Sequence, residues 1–250
     1  MTEPWNIKTE DTRQADTLPT FIIFCEDETS EPIYFKYFET SKIKVNPIKG
    51  QKSKIDNVVN AIHYCENNGL MEQKEGLLRL QSDETQVWCV FDRDIEASIS
   101  EIQKQNISFD ESIETAKMKG FKVAWSNDAF ELWILLHFED IDVSDEIFKS
   151  RKTYYERLTE IFKSLPHPNE DLVKAQRHAS FNYKKDLKSE NNFRNITRKE
   201  IVDKTNDAIQ RAKALEAYHN TEMKPNHEKS PCTLVYHLVE DLISLGGKKV

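Results

Sequence analysis

Three acids stand directly behind two apolar runs. Glu26 follows Phe21-Ile-Ile-Phe-Cys25, and Asp92 and Asp94 follow Val87-Trp-Cys-Val-Phe91. Short unbroken runs of β-branched and aromatic residues read as strands buried on both faces, as parallel sheets require. In an open parallel sheet, ligands gather at the carboxyl ends of the strands, which is where these acids fall. An i, i+2 pair in extended chain projects to one side, so Asp92 and Asp94 are expected to point together. Three converging carboxylates repel one another unless a divalent cation sits between them, and an oxygen-only set selects a hard ion such as Mg2+ or Mn2+. The bland alternative is that acids are common in loops after strands, where each taken singly says nothing.

Other polar residues carry weaker signals. Asp128 and Glu131 have capping-box spacing ahead of Phe130-Glu-Leu-Trp-Ile-Leu-Leu-His-Phe138, so capping alone is sufficient to explain Glu131. His137, lone on an apolar helix, reads as hydrogen-bonded packing rather than a ligand. Tyr183-Lys184-Lys185, with Lys174, Arg177 and His178 nearby, reads equally well as a phosphate-facing surface or a solvated helix face. No GxxxxGK[ST] or GxGxxG loop occurs, nor GxSxG or HExxH, so nucleotide-cradle, serine-hydrolase and zinc-protease readings have nothing to rest on. Cys25, Cys65, Cys89 and Cys232 show no CxxC or zinc-finger spacing and are expected to be reduced and mostly buried.

The elements that must position these groups come from a chain of 250 residues, enough for one large domain or two modest ones. Its 13 Phe, 8 Tyr and 4 Trp exclude a disordered polypeptide. No apolar stretch approaches the about 20 residues of a membrane span. Residues 1–20 carry Glu3, Glu10, Asp11 and Asp16 and lack the apolar centre of a secretory signal, so a cytoplasmic protein is expected. The net charge of −8 argues against a general nucleic-acid binder. Its distribution argues otherwise: 41–54 holds five lysines and no acid, and 171–213 holds eleven Lys/Arg against six acids, so each window carries +5 and the rest −18. Such a chain can set basic patches for a phosphate backbone beside acidic surfaces.

Residues 1–19 lack periodicity and read as a flexible arm. After the strand 21–25, Thr29 offers a cap, Pro32 suits a first helical turn, and Ile33, Tyr34, Tyr37 and Phe38 follow at helical spacing. An alternating edge strand is expected at 42–45, and a helix with Ile55, Val58, Val59, Ile62 and Cys65 on one stripe. A helix over 111–119 stops at Gly120 before a strand at 121–125. Beyond Asp128 the pattern is helical: 130–138, 145–164, 171–188, 197–219 and 231–244, the last opening at Ser230-Pro231 and closing at Gly246-Gly247. Strands alternating with helices give an α/β fold with a mainly parallel sheet over 20–140 and a helical region, 141–250, packed on it.

These segments resemble a known family. Phe21 to Phe35 resembles the "CEGxxTExxYF" opening of RloB-like proteins, Val87 to Asp94 their "VWVVFDRD" strand, and Val123 to Phe138 their "AWSNPxFELWLLLHF" segment, with a fainter echo of "PxTxVxxLVE" at Pro231 to Glu240. The resemblance implies a TOPRIM-like open sheet flanked by helices, in which a glutamate after the first strand and a later DxD pair hold Mg2+ (or Mn2+) for phosphodiester chemistry. By position these are Glu26, Asp92 and Asp94, with Glu131 as an acid/base or supporting candidate and Arg93 and Lys184 as candidates for phosphate contact. It also implies a nuclease acting on RNA, including tRNA, or on DNA, in anti-phage defence or abortive infection, beside an ABC-like ATPase partner. A homo-oligomer is compatible with it. The alternative is a non-catalytic TOPRIM-like subunit that docks on the ATPase. Two positions depart from the pattern: Asp27 replaces a glycine and Asp128 a proline. Asp27 is expected to add charge beside the metal and remove backbone freedom.

Overall fold

The structure, a computed structural model, describes residues 18–249 apart from 53, 82, 83, 95–98, 167 and 222. The expected arm therefore lies almost wholly outside the described residues; its last member, Pro19, already accepts a hydrogen bond from Lys44 N–H. Five strands form the main sheet: β1 (Thr20–Cys25), β2 (Lys44–Ile48), β5 (Thr85–Asp92), β6 (Lys122–Asn127) and β7 (Cys232–Thr233). Their order is β2-β1-β5-β6-β7, parallel except for the β6–β7 pairing. The fold is thus α/β with a mainly parallel sheet, as its alternating pattern indicates.

Period-two alternation divides the apolar strands between two cores. Phe21, Ile23, Cys25, Trp88 and Val90 face one layer, where α1 (Ser30–Lys36) and α4 (Glu131–Leu136) meet most of the C-terminal helices. Ile22, Phe24, Val87, Cys89 and Phe91 face the other, covered by α2 (Lys54–Asn67) and α3 (Ile99–Met118). Covering both faces buries residues 21–25 of β1 and 87–91 of β5, which explains why they read as unbroken apolar runs.

Several boundaries differ from expectation for physical reasons. The edge strand runs 44–48 rather than 42–45, its register fixed by Thr20↔Lys44 through Phe24↔Ile48; Pro47 is tolerated because an edge has one unpaired side. A hairpin, β3 (Met71–Lys74) with β4 (Leu77–Leu80), fills a stretch with no clear strand signal. Its turn residues Glu75 and Gly76 both have positive φ, the two-residue turn that matches strand twist. Helix α3 extends far upstream of 111, through a polar stretch that hides it from periodicity.

In the C-terminal region, a 3-10 turn (Glu146–Lys149) precedes α5 (Arg151–Ser164), which Ser150 caps. The expected helix 171–188 is broken into α6 (Glu170–Gln176) and α7 (Tyr183–Asp186), because Asn182 accepts the N–H of Lys185 and starts a new helix. Then follow α8 (Glu190–Asn192), a π turn (Phe193–Thr197), α9 (Arg198–Ile201) and α10 (Thr205–Asn220). The last helix, α11 (Val235–Gly246), starts later than expected, since Cys232–Thr233 pair with β6 and Leu234 N–H donates to Trp125 O. It ends, as the Gly-Gly pair suggests, with Gly247 in the left-handed conformation. No helix among the described residues is long and apolar enough to cross a membrane.

Candidate functional site

From β1 the chain goes outward to β2 and returns to β5 on the other side of β1. The crevice beyond two strands related in this way is where open α/β sheets hold ligands. Glu26 and Asp92 lie there. Asp92 N–H donates to Glu26 Oε2 at 2.8 Å, and Asp92 Oδ2 accepts from Phe130 N–H at 3.0 Å. Asp94 is not the extended partner its spacing suggests: it turns to φ +54, and its amide donates to Asp128 O at 3.3 Å. Its carboxylate is taken by the guanidinium of Arg151.

Burial and crowding make Glu26 and Asp92 hold protons tightly. Burial, then the charge of Asp94, pushes Glu26 up to about 8. Asp92 is raised by burial first and by Glu26 and Asp94 next. Glu31, on the first turn of α1, is raised by burial and by Asp27, Asp92 and Glu26, so a fourth acid belongs to the cluster. Positive charge answers it from two distant segments. Lys54 is buried at the start of α2, where burial lowers its pKa while Asp94 and Glu26 oppose that shift. Burial also works against the charge of Arg151, but Asp128 and Asp94 more than offset it and raise its pKa.

Asp128 and Glu131 do not form the expected capping box. Asp128 is drawn aside by Arg151, accepting from Nε at 3.0 Å and from a terminal nitrogen at 2.9 Å, and Asp92 serves the first turn of α4 in its place. The Asn127–Asp128 peptide is cis. Glu131 instead pairs with Lys188 at 2.6 Å, beside Asp92, which feels its charge. Asp27 is likewise occupied elsewhere. Its carboxylate accepts the N–H groups of Thr29 (2.7 Å), Ser30 (3.2 Å) and Glu31 (3.3 Å), and its own amide donates to Glu31 Oε2. Asp27 is therefore the residue that caps α1, a task expected of Thr29, and its backbone has no positive φ that would call for glycine.

Two candidates lie away from the acids. Strand alternation carries Arg93 to the α3 side, where it donates to Asn106 Oδ1 (2.9 Å) and Asn127 Oδ1 (3.2 Å) and lines a separate cavity with Lys149 and Ser230. Lys184 lies over the Tyr155 ring, 5.1 Å from its centroid, in a groove that reaches the acids through Arg151. His137 is packing, as expected. Its Nδ1 faces Trp133 O at 2.8 Å and its Nε2 the Tyr34 hydroxyl at 3.1 Å. All four cysteines are buried and free.

Arg151, Lys54, Glu31 and Lys188 are the site residues that sequence reasoning missed. Lys54 and Lys188 showed only as members of the basic windows 41–54 and 171–213, Glu31 only as an acid opening a helix ahead of Pro32, Ile33, Tyr34 and Phe35, and Arg151 not at all. The donor set suits a divalent cation: hard oxygens, crowded until they retain protons, at a strand end. As the side chains stand, no three Asp, Glu, His or Cys among the described residues are placed to hold an ion. The cause is visible: Glu26 and Asp92 accept backbone amides, and Asp94 is held by Arg151.

A family model described as RloB-like protein matches residues 21–242. Neither the curated proteins nor the solved structures compared with this chain yield a match. The matched residues run from within β1 into α11 and include all the acids of the crevice, and so the chain belongs to the RloB-like protein family.

Proposed function

We propose that this protein is a metal-dependent nuclease of TOPRIM type that hydrolyses phosphodiester bonds in RNA, with tRNA a candidate, or in DNA. One observation carries the reading: Glu26, Asp92 and Asp94 meet at the ends of adjacent parallel strands in a setting that raises the proton affinity of Glu26 and Asp92. Those three residues would hold Mg2+ or Mn2+. When bound, such an ion supplies Lewis acidity toward a phosphoryl oxygen and a more acidic water. Arg151 and Lys54 bring positive charge to the same crevice, where it offsets the charge of a phosphate. Lys188 fixes Glu131 beside Asp92, in place to accept or return a proton.

The family resemblance supports a setting in bacterial anti-phage defence or abortive infection, in the cytoplasm and with an ABC-like ATPase partner; a homo-oligomer is compatible. The absence of an ATP-binding motif means that any ATP use falls to that partner. A second reading, a non-catalytic subunit that docks on the ATPase, draws support from Arg151 holding Asp94. The test is incubation of the whole chain, alone and with an ABC-like ATPase proposed as its partner, with Mg2+ or Mn2+ and labelled tRNA, single-stranded RNA, single-stranded DNA and duplex DNA. Cutting that stops with chelator and in Glu26→Gln supports the nuclease. A function in defence that survives Glu26→Gln supports the docking subunit.

A further inference from the structure

A cavity of about 690 Å3 begins where the acid crevice ends. Arg151 belongs to both: it holds Asp94 and Asp128 on one side and lines this groove on the other. Along α5, Arg151, Tyr155, Thr159 and Lys163 all line it. Their i, i+4 spacing makes one stripe, about 18 Å long at 1.5 Å per residue. The opposite wall is Phe181 and Lys184. Two acids also line the groove, but Glu156 lies 3.7 Å from Lys152, and Glu160 is paired with Arg157 at 2.5 Å. The lining therefore offers flat aromatic surface in the middle, with cations at both ends and on the facing wall.

Tyr155 is the centre of this arrangement. Its ring lies stacked against Tyr183 at 6.4 Å, and Thr159, whose hydroxyl donates to Tyr155 O and accepts from Tyr183 N–H, ties the two together. The ammonium of Lys184, on an exposed side chain, is the movable group over the ring. Cavities of about 300–1,000 Å3 suit drug-sized ligands, so this one takes a nucleotide or two lying flat and not the cross-section of a duplex. Its length along α5 exceeds one nucleotide and favours a continuing strand.

We infer that this groove binds single-stranded nucleic acid, seating an unpaired base against Tyr155 while Lys163, Lys184 and Arg151 meet successive phosphates. Resting on the nuclease reading, it gives that site a substrate class: a strand whose neighbouring nucleotides are unpaired. Stacking is indifferent to base identity, so the selection is for strandedness and not for sequence.

The test is fluorescence anisotropy of the full chain carrying Asp92→Asn, in EDTA and at fixed salt, with labelled single-stranded RNA, single-stranded DNA and the matching duplexes. Single strands are expected to bind at least about tenfold tighter than duplex, with Tyr155→Ala weakening them about 5- to 100-fold and Tyr155→Phe leaving them unchanged. Lys184→Glu, at an exposed position, is expected to leave the fold unchanged, weaken binding and flatten its salt dependence. The RNA and DNA arms decide the sugar. Duplex bound as tightly as single strand, or folded Tyr155→Ala and Lys184→Glu chains that bind like the parent, overturns the groove even if the wild type cuts in Mg2+. Single-strand binding that needs Tyr155, in a protein that never cuts, supports the groove and removes the nuclease reading alone.

Discussion

The carboxylate of Asp92 accepts the backbone N–H of Phe130 at 3.0 Å, so an acid at the end of β5 also holds the first turn of α4. Substituting it therefore changes two things at once. Asp92→Asn keeps an acceptor for that amide and removes a titratable group crowded by Glu26 and Asp94, whereas Asp92→Ala leaves the buried amide of Phe130 without a partner. In chelator, Asp92→Asn is predicted to be more stable than Asp92→Ala by about 1 kcal/mol or more in chemical denaturation. Equal stabilities would contradict the helix-holding role, and the Asn variant is the cleaner control for activity.

Arg151 ties the acid crevice to α5. Removing it leaves Asp94 and the deeply buried Asp128 without the guanidinium that bridges them. Arg151→Ala is predicted to cost about 3 kcal/mol, with Arg151→Lys recovering only part, because an ammonium cannot reach Asp94 and Asp128 with the same fork. A loss below about 1 kcal/mol, typical of surface pairs, would show that this contact is incidental.

His137 makes stability depend on pH. Burial lowers its pKa from 6.5 to about 3, so the folded chain keeps it neutral while the unfolded chain protonates it. Its contribution is full above about 6.5 and is lost as pH falls toward about 3, at about 1.4 kcal/mol per pH unit. His137→Gln is predicted to flatten the acid limb of the stability curve by one proton relative to wild type. Parallel limbs in the two proteins would contradict it.

Burial raises the pKa of the Cys25, Cys65, Cys89 and Cys232 thiols, which suppresses the reactive thiolate as well as access to it. A thiol reagent is predicted to titrate none of the four in the native chain and all four in guanidinium. A fast-reacting native thiol would refute the packing described for β1, α2, β5 or β7.

The acids of the crevice were legible because the signal is local. A run buried on both faces must be apolar, and the first acid after it marks the strand's end, so Glu26, Asp92 and Asp94 could be placed without knowing the topology. The sheet's parallel character followed from the same runs. Arg151 and Lys188 were not legible, because each reaches the site from a remote helix or loop, by packing that no local pattern encodes. Asp128 shows the opposite failure. Its spacing to Glu131 is a sound capping box, but the buried guanidinium of Arg151 competes for the same carboxylate and wins. Cys232 and Thr233 were lost in a helical pattern because two residues are too few for a strand period, and it is their pairing with Asn127 and Ser126 across the sheet that defines them.

The central claim is that Glu26, Asp92 and Asp94 together hold a divalent cation. Isothermal titration of Mn2+ into the metal-stripped full chain, beside Asp92→Asn and Glu26→Gln, tests it most directly. Saturable binding to the wild type, lost in both variants while their circular dichroism is unchanged, is the predicted result. Wild-type binding no tighter than that of either variant would contradict the claim and leave the crevice a structural cluster of acids.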